Sequence, residues 1–343
     1  MRSIVKEKED RGISLITSEI PEPSQDEVLI KVKIAGICGT DLHIYEWDEW
    51  SQKRIKTPLI IGHEFVGEIC QVGKNCKGLT VGQRVSAEGH ITCGRCKYCK
   101  TGFGHVCKDV EIIGVDRNGC FAEYITVPAD NVWPVHDSIP DEYAALFDPL
   151  GNAMHTVMAQ DVSSKTVLIT GAGSIGLFAI PIALINGASK VIVIEPSQYK
   201  KDIALKLGAD AVFDPWEGDL KEKIIDLTDG LGPDVLLEMS GNKSAINLGL
   251  EVLSNGGNAS FLGIPAGDIL VNFADSIIFK GITIHGITGR RIFETWYQCD
   301  QFLQKHGSDI DPVITHVLDM DEVEKGFIMM EKQEAVKVLL RIG

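Results

Sequence analysis

The amino-acid sequence predicts an α/β protein with two parts: a doubly wound parallel sheet, and a mainly β, barrel-like domain. The chain has 343 residues, which is long for a single hydrophobic core. Short strands and turn residues dominate up to about residue 145, and strands alternate with helices from about residue 150. We therefore predict one domain over residues 1–147 and 290–343, and a second over 148–289.

The first domain is predicted from short strands that turn residues separate. Residues 28–34 alternate apolar and polar side chains, and residues 65–69 and 121–127 look similar. Glycines at 73, 78 and 82 indicate turns between them. The tail predicts helices over 293–305 and 323–331 and strands over 313–316 and 335–340, and we expect it to return to this domain.

The second domain is predicted from apolar strands that alternate with helices. The predicted strands are 166–170, 190–195, 211–213, 235–239 and 258–262, and the predicted helices include 198–207 and 220–228. Short, continuously apolar strands in such an order are typical of a parallel sheet that is covered on both faces.

Composition excludes several classes of partner. Hydrophobic residues make up 44% and charged residues 24% of the chain, and the net charge is −15. A negative balance argues against nucleic acid or an anionic membrane as a partner. The sequence has no apolar run long enough to span a membrane, and residues 1–10 have no apolar segment typical of a secretory signal. We expect a cytoplasmic protein.

A glycine motif follows the first strand of the second domain. Gly171, Gly173 and Gly176 fit G-x-G-x-x-G between a strand and a helix. The glycines permit a tight turn, close approach of a pyrophosphate and close packing of the helix. Glu195 ends the next strand, where a carboxylate binds both ribose hydroxyls and disfavours NADP, so we predict NAD. Lys200 either flanks the adenosine or is a solvated helix lysine.

Four of the nine cysteines form a compact cluster. Within fifteen residues lie Cys93, Cys96, Cys99 and Cys107. Four thiolates at this spacing predict a closed tetrahedral structural zinc site (Zn2+), although similar runs also hold iron–sulfur clusters.

A second, looser set of metal ligands precedes the cluster. Cys38 supplies a thiolate, His63 an imidazole and Glu64 a carboxylate. Three protein ligands leave a fourth position for water or substrate, as in catalytic zinc sites. No spacing rule makes these three residues ligands, and a lone histidine is more often a core or surface residue.

These motifs, in this order, resemble those of the zinc-containing medium-chain alcohol dehydrogenases. The similarity runs from residue 28 to the last strand, and it is strongest to the threonine-oxidising members of that family. It rests on residues 37–52, 88–94, 147–153 and 293–297. The resemblance implies a Rossmann domain, a zinc-binding catalytic domain and a homotetramer.

The resemblance also implies catalytic roles. Cys38, His63 and Glu64 would bind the catalytic zinc, and Thr40 and His43 would relay the hydroxyl proton by way of the cofactor ribose. Asp148 would be an acidic group near the zinc; the alternative is an N-cap for the next helix. His90 would recognise substrate; the alternative is a packing histidine.

Further positions match the family's cofactor contacts. They are Ile175, Glu195, Lys200, Leu262, Gly263, Ile264, Ile287 and Thr288. Arg290 and Arg291 offer positive charge for a substrate carboxylate, although we expect exposed or subunit-contact arginines there.

The expected activity is NAD-linked oxidation of the 3-hydroxyl of L-threonine to 2-amino-3-oxobutanoate. Three alternatives stay open: a 2,3-butanediol or polyol dehydrogenase, a non-catalytic nucleotide-binding relative, and a redox sensor built on the cysteine cluster. The non-catalytic alternative predicts loss of zinc ligands or of the relay, yet Cys38, Thr40, His43 and His63 are all present.

Overall fold

The computed structural model describes residues 1–343, which form two compact units. The first unit, called the catalytic unit after the role that the sequence analysis expects for it, comprises Met1–Asp148, Arg291–Gly307 and Ile314–Gly343. The second, the sheet unit, comprises Pro149–Arg290 and Ser308–Val313. The segment Ser308–Val313 thus lies in the sheet unit, whereas the sequence prediction included it in the other domain.

The strands, in chain order, are β1 (Arg2–Lys6), β2 (Ser14–Thr17), β3 (Glu27–Ile37), β4 (Leu59–Ile60), β5 (Glu64–Val72), β6 (Arg84–Ala87), β7 (His90–Ile91), β8 (Glu111–Ile112), β9 (Tyr124–Pro128), β10 (Val132–Pro134), β11 (Thr166–Thr170), β12 (Lys190–Ile194), β13 (Ala211–Phe213), β14 (Val235–Glu238), β15 (Asn258–Phe261), β16 (Thr283–Gly286), β17 (Ile314–Asp319) and β18 (Lys337–Arg341).

The α-helices are α1 (Gly39–Glu46), α2 (Glu49–Arg54), α3 (Lys97–Lys100), α4 (Asp141–Ala144), α5 (Phe147–Met158), α6 (Ser174–Ile185), α7 (Gln198–Lys206), α8 (Leu220–Asp226), α9 (Lys243–Val252), α10 (Glu294–His306) and α11 (Val323–Glu331). Short 3₁₀ helices and one π-helical turn, Ala274–Ile278, connect some of them. No helix combines the length and the apolar character that crossing a membrane requires.

The catalytic unit is built on a mainly antiparallel sheet. Its strands follow the order β10-β6-β5-β3-β18-β17, and β9 also pairs with β3. β3 is long enough to pair with β5, β9 and β18, so it lies at the centre of the sheet. Its apolar side chains, such as Val28, Ile30 and Val32, are fully buried in the core of the unit. The tail strand β18 completes this sheet, as the sequence predicts.

The sheet unit is a parallel sheet with the strand order β13-β12-β11-β14-β15-β16. Its central strands are continuously apolar because they are buried on both faces, which explains the pattern in β11, β12 and β14. The order reverses between β11 and β14, and ligands of such sheets bind at the carboxyl ends of the strands near that point. The predicted α/β fold, with a doubly wound sheet in one unit and mainly β structure in the other, is confirmed.

Candidate active site

Cys38 lies where β3 gives way to α1, as the N-cap residue of that helix. Its backbone N–H donates to Asp41 Oδ2 at 2.9 Å, and the other carboxylate oxygen, Oδ1, accepts the backbone N–H of Gly62 at 3.1 Å. The fully buried carboxylate of Asp41 therefore ties the Cys38 turn to the turn that precedes His63. Thr40 Oγ1 lies 3.9 Å from the Cys38 sulfur.

Three candidate metal ligands meet in this unit. One donor atom each from Cys38, His63 and Glu64 lies within 4.8 Å of the other two. His63 and Glu64 are 7% and 1% exposed, so their donor atoms are screened from water. His63 Nδ1 is buried without a hydrogen-bond partner and lies 3.7 Å from Asp41 Oδ1. A thiolate, an imidazole and a carboxylate are the donor types that zinc prefers, so the set fits zinc.

Glu64 has a partner that the sequence analysis missed. Lys337 Nζ donates to both carboxylate oxygens of Glu64, at 2.9 and 2.8 Å, and to the carbonyl of Ile37 at 2.9 Å. Burial lowers the pKa of Lys337, but Glu64 and Cys38 raise it more, so the net shift is upward and the ammonium stays charged. Both oxygens of Glu64 are thus engaged by a cation on β18.

Buried acidic groups give this region a strong preference for positive charge. Burial raises the pKa of Asp41 to about 6, although His63 counteracts it. Burial lowers the pKa of His63, but the negative charges of Asp41, Cys38 and Asp148 together raise it by more. The net pKa of His63 is therefore well above its usual value. The same field that favours a proton on His63 favours a divalent cation there.

Asp148 is the second residue of α5 and is 6% exposed. This position corrects the alternative that Asp148 is an N-cap, because the residue lies inside the helix. The charge of Asp148 raises the pKa of both His63 and Cys120.

His43 lies on α1, the same helix as Thr40, and its side chain is 59% exposed. Its Nδ1 is 2.8 Å from Asp48 Oδ2, and Asp48 Oδ1 accepts the backbone N–H of Ser51 at the start of α2. Asp48 therefore orients the imidazole of His43 through Nδ1. Asp48 is itself held in place as the N-cap residue of α2.

His90 begins β7 and is held by a buried acid. Its Nδ1 and its backbone N–H each lie 2.8 Å from Glu88 Oε1. The indole N–H of Trp296 donates to Glu88 Oε2 at 2.7 Å. Glu88 and Trp296 are 0% and 1% exposed.

The four clustered cysteines converge as predicted. Cys96 Sγ lies 3.5 Å from Cys99 Sγ and 3.9 Å from Cys107 Sγ, and all four sulfurs lie within 4.8 Å of one another. Zn–S bonds of about 2.3 Å place tetrahedral sulfurs about 3.8 Å apart, so these spacings fit zinc. The backbone of Cys99 lowers the pKa of Cys96 to about 6, whereas burial and neighbouring thiols raise the pKa of Cys99 to about 11.

The glycine turn of the sheet unit has the geometry that phosphate binding requires. Gly171 has φ +90°, a conformation that favours glycine. A Cβ on Gly176 would lie 2.0 Å from the carbonyl oxygen of Gly171, so only glycine lets α6 approach β11 this closely. A Cβ on Gly173, the N-cap of α6, would meet open space, which leaves room for a pyrophosphate at the helix N-terminus.

Glu195 follows β12 and is 3% exposed. Its two oxygens accept the backbone N–H groups of Ala172, at 2.7 Å, and Ser197, at 3.0 Å. The carboxylate thus braces the glycine turn itself. Lys200 is half-buried on α7.

The remaining predicted cofactor residues lie at the carboxyl ends of strands. Ile175 is in the first turn of α6, Leu262, Gly263 and Ile264 follow β15, and Ile287 and Thr288 follow β16. Leu262 and Gly263 both donate backbone N–H groups to the carbonyl of Glu238. The strand ends thereby share one edge with the glycine turn.

The expectation that Arg290 is exposed is wrong. Arg290 is 2% exposed within the sheet unit, and its Nη1 lies 3.5 Å from Asn152 Oδ1. Its neighbour Arg291 is a surface residue that pairs with Glu294 at 3.1 Å.

Comparisons with known proteins identify the family of the chain. A family model for the alcohol dehydrogenase GroES-like domain matches residues 24–137, and one for zinc-binding dehydrogenases matches residues 174–305. The chain is 48% identical to an L-threonine 3-dehydrogenase of Pyrococcus abyssi over 100% of this chain and 99% of the relative. It is 46% identical to one of Caldanaerobacter subterraneus, over 99% and 98% of the two chains.

Solved structures share the whole fold. An alcohol dehydrogenase of Escherichia coli CFT073, complexed with NADH, has a TM-score of 0.91 and 30% identity, covering 100% of this chain and 99% of that one. The 2R,3R-butanediol dehydrogenase of Bacillus subtilis has a TM-score of 0.91 but only 25% identity, with the same coverage. The chain therefore belongs to the zinc-binding, alcohol dehydrogenase-like family of oxidoreductases.

Proposed function

We propose that the protein oxidises the 3-hydroxyl of L-threonine to 2-amino-3-oxobutanoate and transfers the hydride to NAD. The observation that carries the proposal is the donor set of Cys38, His63 and Glu64, with the buried acid Asp148 beside it. The full-length similarity to threonine dehydrogenases, at 46–48% identity, favours threonine over butanediol, where the identity is 25%.

The two metal sets have different proposed roles. Cys38, His63 and Glu64 would hold the catalytic zinc, and Lys337 restrains the carboxylate of Glu64. A bound zinc ion supplies Lewis acidity that lowers the pKa of the substrate hydroxyl. The four-cysteine cluster would hold a second, structural zinc, since four protein ligands leave no position for substrate.

Proton removal is assigned to residues of α1. Thr40 lies next to the Cys38 sulfur, where it can accept a hydrogen bond from the substrate hydroxyl and pass the proton on. His43 would carry it to solvent, since its ring is more than half exposed and Asp48 holds Nδ1. Asp148 would favour the positive charge of the metal and of the substrate ammonium through its own negative charge.

NAD binding is assigned to the sheet unit. Gly171, Gly173 and Gly176 shape the pyrophosphate turn, with Ile175 in the helix that follows. When bound, NAD accepts the hydride, and the protein supplies orientation. Glu195 would accept hydrogen bonds from the ribose hydroxyls, in place of those from the backbone N–H groups of Ala172 and Ser197. The further residues that we propose to contact NAD are Lys200, Leu262, Gly263, Ile264, Ile287 and Thr288.

Domain roles and assembly complete the proposal. Residues 1–147 with 290–343 would be the catalytic domain, and 148–289 the dinucleotide-binding domain.

We propose a homotetramer in the cytoplasm. Self-association is supported by the edge strand β16, which pairs only with β15 and carries Ile284, 46% exposed. The chain before β16 exposes further apolar side chains: Leu270, Phe273 and Phe279 are 92%, 61% and 77% exposed. Sedimentation of the unmodified protein and of Ile284→Lys tests this; a monomer in both cases overturns it.

NADH absorbance with L-threonine and NAD, before and after treatment with a zinc chelator, tests the activity. We expect zinc-dependent NADH formation that Cys38→Ser abolishes. Cys70→Ser is the matched control, because Cys70 is a half-buried cysteine outside both metal sets. Turnover of butanediol or polyols without turnover of threonine would overturn the substrate assignment and leave the chemistry in place.

A further inference from the structure

Glu238 is a buried carboxylate at the carboxyl end of β14, and none of the roles proposed above uses it. Its Oε1 accepts the hydroxyl of Thr170 at 3.2 Å and the backbone N–H groups of Ser240 and Gly241 at 3.0 and 3.1 Å. The hydroxyl of Ser240 also donates to Oε1, and the N–H of Gly241 is shared with Oε2 at 3.2 Å. Four donor groups therefore hold this carboxylate in one position.

The charge of Glu238 is hydrogen-bonded but has no counter-ion. All of its side-chain partners are neutral groups, two hydroxyls and two backbone N–H groups. An ionised carboxylate only accepts hydrogen bonds, which suits a set of four donors. Because the carboxylate is 0% exposed, its charge is screened less than a charge in water and acts over a longer distance.

The strand order places Glu238 on the nicotinamide side of the proposed NAD site. The pyrophosphate is assigned to the glycine turn after β11, and the adenosine ribose to Glu195 after β12. Since β12 and β14 lie on opposite sides of β11, a dinucleotide that crosses the strand ends must place its nicotinamide half over β14 and β15. Glu238 ends β14, and its carbonyl accepts the N–H groups of Leu262 and Gly263, which follow β15, at 2.9 and 3.1 Å.

Gly263 brings the proposed cofactor surface close to this charge. A Cβ on Gly263 would lie 2.6 Å from Glu238 Oε2, so only glycine lets the chain after β15 pack directly on the carboxylate. Gly263 is itself half-buried and is one of the residues that we propose to contact NAD. A ring in van der Waals contact with Gly263 therefore lies within about 8–10 Å of the carboxylate.

We propose that the negative charge of Glu238 strengthens the binding of NAD⁺ relative to that of NADH. The nicotinamide ring is a cation in NAD⁺ and is neutral in NADH, so a fixed anion behind Gly263 stabilises only the oxidised ring. This inference rests on the proposed NAD binding and adds a residue outside the contacts proposed there. Glu238 acts through its charge, without touching the cofactor, and favours uptake of the oxidised form and release of the reduced form.

Glu238→Gln tests the proposal, because the amide oxygen can take the place of Oε1 among the four donors while the charge is removed. Titration calorimetry of the zinc-loaded protein with NAD⁺ and with NADH gives a Kd for each form. For a unit charge about 8–10 Å away at an effective dielectric constant of about 20–40, the ratio of the Kd of NAD⁺ to the Kd of NADH should rise about 4- to 30-fold.

Three further variants separate the charge from its surroundings. Thr170→Val removes one hydrogen bond to Glu238 and keeps the charge, so the Kd ratio should stay within about twofold. Glu222→Gln, at an exposed glutamate on α8 of the same unit, is the matched control for loss of a carboxylate and should also leave the ratio unchanged. Ser240→Lys places an ammonium at an exposed position two residues from Glu238, and the ratio should rise as in Glu238→Gln.

An unchanged Kd ratio in Glu238→Gln overturns the inference, as does an equal rise in Thr170→Val, which would assign the effect to the hydrogen bonds. If Glu238→Gln does not fold, Ser240→Lys decides, and an unchanged ratio in that variant overturns the inference. Absence of NAD⁺ and NADH binding to the unmodified protein refutes the proposed cofactor site and this inference together. Binding of both forms with the same ratio in every variant refutes this inference alone.

Discussion

Lys337→Met should destabilise the catalytic unit far more than a surface lysine substitution does. Lys337 and Glu64 are 1% and 0% exposed at their side chains, and two contacts of 2.8 and 2.9 Å join them. Removing one partner of a buried ion pair typically costs about 3–5 kcal/mol, because the other charge stays buried without compensation. Methionine has a similar length to lysine, so little of the loss comes from a cavity.

Thermal unfolding measures the effect. For a unit of this size, about 2–4 °C of melting temperature corresponds to 1 kcal/mol, so Lys337→Met should melt about 6–20 °C lower. Adding Glu64→Gln removes the uncompensated carboxylate and should recover more than half of the loss. Lys332→Met, at an exposed position five residues away, should melt within about 2 °C of the unmodified protein.

Two results would refute this reasoning. A loss of less than about 2 °C in Lys337→Met would mean that Glu64 does not depend on the lysine for its charge compensation. A double variant that is no more stable than Lys337→Met would mean that the loss comes from packing and not from an unpaired charge. Zinc content measured on the same samples shows whether the change in stability follows from altered metal occupancy.

Three further predictions concern other parts of the molecule. Glu195→Gln should lower kcat/KM with NAD about tenfold while lowering that with NADP less, and an unchanged ratio would argue against ribose recognition by this carboxylate. Cys96→Ser should lose about one equivalent of zinc per chain in metal analysis, whereas full retention would contradict a four-thiolate site. Burial raises the pKa of Glu27, but Arg117 at 2.6 Å and the hydrogen bonds from Ser24 together lower it more, so the net shift is downward. Arg117→Met should therefore cost about 0.5 kcal/mol in urea unfolding near neutral pH. That difference should disappear as the pH falls through the lowered pKa, and a difference that persists at acid pH would refute the pairing.

Local patterns were sufficient to predict the parts of the structure that depend on neighbours in sequence. The strand Thr166–Thr170, the glycine turn after it and the four-cysteine cluster all depend on residues within a short span. Their spacing is constrained by backbone geometry or by ligand geometry, and it is therefore visible in the sequence.

The charged contacts that organise the candidate site were not predictable in this way. Lys337 and Glu64 are 273 residues apart, and Trp296 and Glu88 are 208 apart. No periodicity links such distant residues. A signal was nevertheless present for Lys337, because it interrupts the otherwise apolar run of residues 335–340, and a lysine that must be buried needs a buried acid. Asp41, an acidic residue within the Cys38–His43 segment, was a similar signal of a buried charged contact at the candidate site.

The chain order of the catalytic unit has a consequence for synthesis on the ribosome. β18, which carries Lys337, pairs with β3 in the sheet, yet residues 149–290 must be translated between them. Until β18 emerges, the nascent β3 has an open edge and Glu64 has no cation. The sheet unit, whose strands β11 to β16 are contiguous in sequence, can fold first. The first segment of the catalytic unit is therefore an incomplete sheet until β18 is made, because the edge of β3 that pairs with β18 has no partner. A chaperone that binds open strand edges would recognise this intermediate.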